Sequence, residues 1–249
     1  MRFKFLDFKL KQDFDRIKIL HWGHFICIML ALLLEMYHGI TGWFFGFVIM
    51  VVAGILYRLY FRTINNLYYT TWTFSFFVFV YLLVGFLGAV FGHHITVLTQ
   101  IYFLAIVLLA VESYLLSSPI YFPRVSWWEY DFRYRADLKV EVNVADKVME
   151  GRLTDLRRAA GCVVVFEEVD VGEIMNIKTI EGNIALVAEI MSKRENILGR
   201  GVVYGVKFHF QRGEERNNFL TLCKFFKEKK LFQKKIKFKK IKDVHREIN

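Results

Sequence analysis

Four arginines and one aspartate in the second half of the chain carry recognition chemistry. Arg133 and Arg135 stand two residues apart, and Arg157-Arg158 follow Asp155 closely. A guanidinium is planar, always charged, and forks two N–H donors onto one anion. These residues therefore read as a basic, anion-binding face. The plainer alternative is a solvated surface or a partner interface.

The first half offers different groups. Glu35 and Glu112 lie in or beside long apolar runs. An acid in such a run is a functional candidate because its charge is costly there. Glu35 is next to Tyr37 and His38 and is expected at a helix end within reach of water. Glu112 is expected about one turn from a helix end, where it snorkels, pairs with a basic group or serves helix association. His21 and His24 share one helix face, and His93-His94 fall in a turn. No carboxylate lies at metal-ligand spacing along the chain beside either pair, so no metal site is expected. Cys27, Cys162 and Cys223 give neither a metal spacing nor a disulfide framework and read as inert thiols. No Ser/His/Asp or Cys/His set and no motif-bound carboxylate pair is present, so the sequence points to no enzyme and no cofactor. Gly199-x-Gly201 reads as a hairpin, not a dinucleotide site, since no helix follows it.

The elements that must position these groups fall into two unlike halves. Ile19 to Tyr57 contains no Lys or Arg, nor does Thr63 to Pro123, and Arg58 and Arg62 stand between the two blanks. Each blank holds at least about twice the roughly 20 residues that one membrane-spanning helix needs. Two hairpins follow, with spans near Ile17–Met36, Trp43–Tyr60, Trp72–Val90 and Ile95–Leu116. Tyrosines and tryptophans gather at their ends. The loops carrying basic residues then share one side, which the positive-inside bias assigns to the cytoplasm together with both termini. No cleavable signal peptide is expected. The turns on the other side are too short to hold a domain. The second and third spans lack acids and histidines, which argues against a pump or channel. Met1 to Lys18 sets Phe3, Leu6, Leu10, Phe14 and Ile17 at helical spacing among basic residues. It reads as an interfacial helix on the inner leaflet or as an extension of the first span.

From Asp137 the period changes to two, with Leu138, Val140, Val142 and Val144 alternating against polar residues. Further strands are expected over 148–156, 162–167, 174–180, 183–193 and 202–210, and a helix over 213–230. Six short antiparallel strands followed by one helix suggest a small closed barrel. The organisation expected is a segment at 1–18, a four-helix transmembrane anchor at 19–120, a linker at 121–136, an all-β domain at 137–230 and a polybasic tail at 231–249. The chain carries a net charge of +10, and ten lysines lie between Lys224 and Lys242 against the single acid Glu228. Below a membrane such a strip favours anionic lipid or an acidic partner over nucleic acid.

Several pieces from about Tyr130 to Lys230 occur in a specific order. They are Arg133-Tyr-Arg135, Gly151-Arg-Leu-Thr-Asp155-Leu, Val171-Gly172, Tyr204-Gly-Val-Lys-Phe208 and the closing helix. This half of the chain resembles the PilZ domain family. The resemblance implies a six-stranded barrel that receives the bacterial second messenger cyclic di-GMP. It also implies a bacterial inner membrane as the location. An Arg pair leading into the barrel would hold phosphates and guanine edges, and an acid and a glycine at a strand end would read the other guanine. Arg135 fits the second arginine of the family's Arg-x-x-x-Arg pair. Asp131 stands in the first slot, with Arg133 two residues nearer. Asp155 fits the acid, Arg157 occupies a serine slot, and Ala160 stands where the glycine belongs, with Gly161 one residue later. The ligand-binding set implied is Arg133, Arg135, Asp155, Arg157, Arg158 and Gly161. The function implied is a membrane-anchored adaptor that regulates a membrane machine for exopolysaccharide synthesis or motility. The alternative is a constitutive subunit of a membrane assembly whose domain binds a protein and no nucleotide.

Overall fold

A computed structural model of the chain describes residues 13–248, apart from 125–128, 130, 146, 181–183, 195–200 and 211–212. The interfacial segment expected at 1–18 lies outside the described residues as far as residue 12, as do the turns at 181–183 and 199–200. The chain divides into two compact units between Leu116 and Ser117.

The first unit is four helices: α1 (Asp13–Tyr37), α2 (Trp43–Asn65), α3 (Thr70–Leu87) and α4 (Thr96–Leu116). A π-helical turn, Gly88–His93, extends α3. All four are long and apolar enough to cross a membrane. Together they occupy the two basic-free blanks, with α1 beginning before the first blank and α2 running on through Arg58 and Arg62. This is the make-up of a multi-pass membrane protein. Outward faces are apolar, with Phe44, Phe47, Phe77 and Val84 among the most exposed side chains. That much apolar surface suits lipid as the solvent. α1 packs most extensively against α4. Gly23 permits the approach: a Cβ there would stand 3.3 Å from Leu108 Cδ1 of α4. Small residues let helices come close where no water drives them together.

The second unit is a closed barrel of six antiparallel strands in the order β1-β2-β3-β6-β5-β4. The strands are β1 (Leu138–Val144), β2 (Lys147–Arg157), β3 (Ala160–Val165), β4 (Ile174–Thr179), β5 (Ala185–Arg194) and β6 (Val202–Phe208). Alternation sets the inner face, so Leu138, Val140, Val142, Leu153, Val163, Ile177, Ile190 and Val206 form one core. Closure leaves no free sheet edge. The Tyr204 hydroxyl accepts the Val169 N–H at 2.8 Å and ties down the chain after β3.

Helix α5 (Gly213–Ile248) follows. Phe219, Leu222 and Phe226 are buried, with Phe219 against the Phe208 and Phe210 rings at 5.1 and 5.3 Å. Each such burial contributes about 1.5–3 kcal/mol. The helix expected to stop at Lys230 continues through the polybasic stretch to Ile248, a total of 36 residues. The physical reason is that Lys, Leu, Gln and Glu are good helix formers and no Gly or Pro intervenes.

Candidate functional site

Two sites are built from the residues that carry chemistry, one in each unit.

In the second unit the segment from Ser117 to Arg124 lies along the barrel as a strap. Asp155, near the end of β2, is buried and accepts the backbone N–H of Arg124 at 2.8 Å and Arg157 Nε at 3.1 Å. Arg157 Nη2 donates to the Phe122 carbonyl at 3.2 Å. On β5, Ser192 Oγ donates to the Ile120 carbonyl. Gly205 of β6 has no side chain there, and a Cβ would collide with that same carbonyl. Pro119, Ile120 and Tyr121 thereby face Cys162, Ser192, Arg194, Val203 and Gly205. Among the described residues, the two register shifts of the barrel fall beside the gripping side chains, between Leu153 and Asp155 and between Ile190 and Ser192. A bulge re-aims a side chain by inserting one residue. Here the two bulges turn Asp155 and Ser192 towards the strap.

The residues expected to bind ligand sit at the end of β2, in the turn that follows it, within β3 and on the lead-in to β1. Asp155 and Arg157 bond to each other. Arg158, at a φ of +54°, reaches Ser117 Oγ at 3.4 Å. Arg133 is exposed in a 3-10 turn, its N–H on Asp131 Oδ1 at 3.1 Å. Arg135 Nε lies 3.8 Å from Asp137 Oδ2. Gly161 sits within β3 facing inward, where a Cβ would meet the Phe208 ring at 3.0 Å and Leu153 at 3.3 Å. Its lack of a side chain serves core packing in this structure. Burial pulls the Arg157 guanidinium below its usual pKa, and Asp155 opposes that pull. Burial also pushes the Cys162 and Cys223 thiols up to about 11, which keeps them protonated at neutral pH.

The segment leading into β1 is clasped by α5. Lys230 Nζ lies 3.1 Å from Glu129 Oε1, Lys229 Nζ donates to the Asp137 carbonyl at 3.4 Å, and Lys237 Nζ stands 5.4 Å from the Tyr134 ring centre. Burial raises the Asp137 carboxyl above its ordinary range, against the pull of Arg135 and Arg152. A carboxyl raised on folding stabilises fully below its unfolded pKa of about 3.9 and loses that contribution as pH rises through the folded value. Asp137→Asn is therefore expected to be more stable than the wild type at pH 7, with the difference shrinking towards pH 4. Denaturant unfolding of both proteins at the two pH values checks this. A variant less stable at pH 7 would reverse the sign.

In the first unit His21 and His24 of α1 face Glu112 of α4, and all three are fully buried. His21 Nδ1 lies 3.3 Å from Glu112 Oε1, and His24 Nε2 contacts Glu112 Oε2. His24 Nδ1 lies 2.8 Å from the Tyr57 hydroxyl of α2. Nearby, Tyr60 OH bonds Ser75 Oγ of α3 at 2.7 Å. His21, His24 and Glu112 each place one donor atom within 4.8 Å of the others. Glu112 thus pairs with the two histidines and does not snorkel. The carboxylate thought missing beside the His21/His24 pair arrives 88 and 91 residues later in the chain. Glu35 forms a second polar cluster, accepting from Tyr102 OH at 2.7 Å and from Thr41 Oγ1 at 3.2 Å. Buried Cys27, Ile28, Ala31 and Leu32 separate the two clusters along α1.

Sequence spacing missed the His–His–Glu set because its members are distant in the chain. A largely apolar helix whose one charged residue is an acid, together with a helix carrying two histidines on one face, was the available signal. It missed the strap because Ser117–Arg124 has no periodicity of its own. No family model matches the chain, and no curated protein matches it.

Proposed function

We propose that the chain is a membrane-anchored signalling adaptor of PilZ-like type. In this reading its barrel receives an anionic ligand, with cyclic di-GMP the candidate, on the inner face of a bacterial cytoplasmic membrane. The observation that carries the reading is the strap. Arg157, an anion-binding side chain by type, holds the Phe122 carbonyl and Asp155 together. The strap begins one residue after α4 ends at Leu116. A phosphate that draws Arg157 away loosens Phe122 and Arg124, so ligand occupancy reaches the chain segment that continues from the last apolar helix. Arg133 and Arg135, on the lead-in to β1, supply the second set of guanidinium forks. The orientation follows from Arg58 and Arg62 in the connecting region. Labelling of a cysteine placed at Asn65 from the outer side would contradict it.

The test is an equilibrium titration of the full chain with cyclic di-GMP. Saturable binding is expected, weakened about tenfold or more in Arg135→Ala, since a charge-assisted contact contributes roughly 1.5–3 kcal/mol. Unchanged affinity in that variant would place the ligand elsewhere.

One observation favours a second reading, a constitutive subunit of a membrane assembly whose barrel binds a protein and no nucleotide. Asp155 and Arg157 already satisfy each other and the strap. A chain that binds no nucleotide in the same titration fits that reading.

A further inference from the structure

We propose that His21, His24 and Glu112 form a site for one divalent first-row transition-metal ion of the zinc class, held within the helical unit between α1 and α4. The proposal stands independently of the barrel's role.

The donor set is two imidazoles and one carboxylate. That mixture suits zinc, cobalt or ferrous iron, whereas calcium and magnesium take oxygen ligands. Zinc bonds of about 2.0–2.1 Å to nitrogen and oxygen put neighbouring donors of a tetrahedron roughly 3.3 Å apart. His21 Nδ1 and Glu112 Oε1 stand 3.3 Å apart, and one donor from each residue lies within 4.8 Å of the others. The donors come from packed helices and not from loops. The i, i+3 spacing sets both imidazoles on one face of α1. Gly23 between them lets α4 approach so that Glu112, one turn beyond Leu108, reaches both.

The surroundings also fit. With His24 Nε2 on the ion, its Nδ1–H donates to the Tyr57 hydroxyl 2.8 Å away. An outer partner of this kind fixes the ring and its tautomer in metal sites. Tyr57 is therefore a positioning residue. Charge points the same way. Glu112 is fully buried, and a carboxylate in such a place needs a positive partner as well as hydrogen bonds. His21 Nε2 is buried with no hydrogen-bond partner among the described residues. A divalent ion bound by all three residues supplies that charge at the carboxylate. Three protein ligands leave one position for a water or small anion. The rival occupant is a proton on one imidazole.

The experiment uses the full chain in detergent, stripped with a chelator and loaded with Co2+ alone. The expected result is one cobalt per chain after desalting, with the visible absorption of a four-coordinate ion. Tyr57→Phe should bind about 10–100-fold more weakly, the usual effect of losing an outer partner. Glu112→Gln, which keeps the size of the side chain and loses the anionic ligand, should weaken binding further. Histidines elsewhere are common to all three proteins and cancel in the comparison. Cobalt retention equal in wild type and Glu112→Gln would overturn the proposal. If Glu112→Gln does not fold, equal cobalt affinity in wild type and Tyr57→Phe would overturn it instead. No cobalt absorption at any pH, as a proton-holding cluster would give, would also overturn it.

Discussion

Replacing His21 and His24 together by leucine, with Glu112 retained, is expected to lower the stability of the helical unit by about 3 kcal/mol, the usual cost of a charged side chain at the centre of an apolar helix. The carboxylate then loses both of its hydrogen-bond partners in a place without water. Adding Glu112→Leu to the double variant should recover most of the loss. A buried polar set replaced as a whole by apolar residues is often close to neutral, whereas removing one side of it is not. The order expected in a detergent unfolding series is therefore wild type and triple variant above the double variant. A double variant as stable as wild type would show that Glu112 draws nothing from the two imidazoles. A triple variant worse than the double would show that the cluster packs by shape alone.

The second large effect is expected at the strap. Asp155→Ala leaves the Arg157 guanidinium without its carboxylate and the Arg124 N–H without its acceptor. Leaving buried or half-buried groups unpaired costs roughly 1–3 kcal/mol each, so the loss from the two should be about 2–6 kcal/mol. Both groups hold the strap, so the loss should appear first as release of residues 117–124. Trypsin cleavage after Arg124 reads that release, and about tenfold or faster cleavage is expected, since each 1.4 kcal/mol is a factor of ten. An unchanged cleavage rate would mean that Ser192 and the Gly205 gap hold the strap without Asp155.

Much of the architecture was legible from local pattern. The four helices follow the stretches without Lys or Arg, because a charge is costly in an apolar span and so its absence marks one. The six strands follow the alternation that begins at Leu138, because each inward residue of a closed barrel must be apolar. The helix end was read wrongly at Lys230, since a run of lysines looks like a tail although lysine continues a helix readily. The candidate sites were less legible. Arg157 and Asp155 were singled out by the resemblance to the family's motifs, and their engagement with Phe122 and Arg124 depends on a tertiary contact with the strap that those motifs do not specify. The His21, His24 and Glu112 set depends on the pairing of α1 with α4, which the sequence of either helix does not specify.

The central claim is that ligand at the barrel is felt by the strap that follows α4. Amide hydrogen exchange at residues 117–124 of the full chain, with and without saturating cyclic di-GMP, tests it most directly. Faster exchange in the ligand-bound state is expected for the Arg124 amide, whose N–H is held by Asp155, and for its neighbours in the strap. Exchange in the strap that is identical with and without bound nucleotide would contradict it.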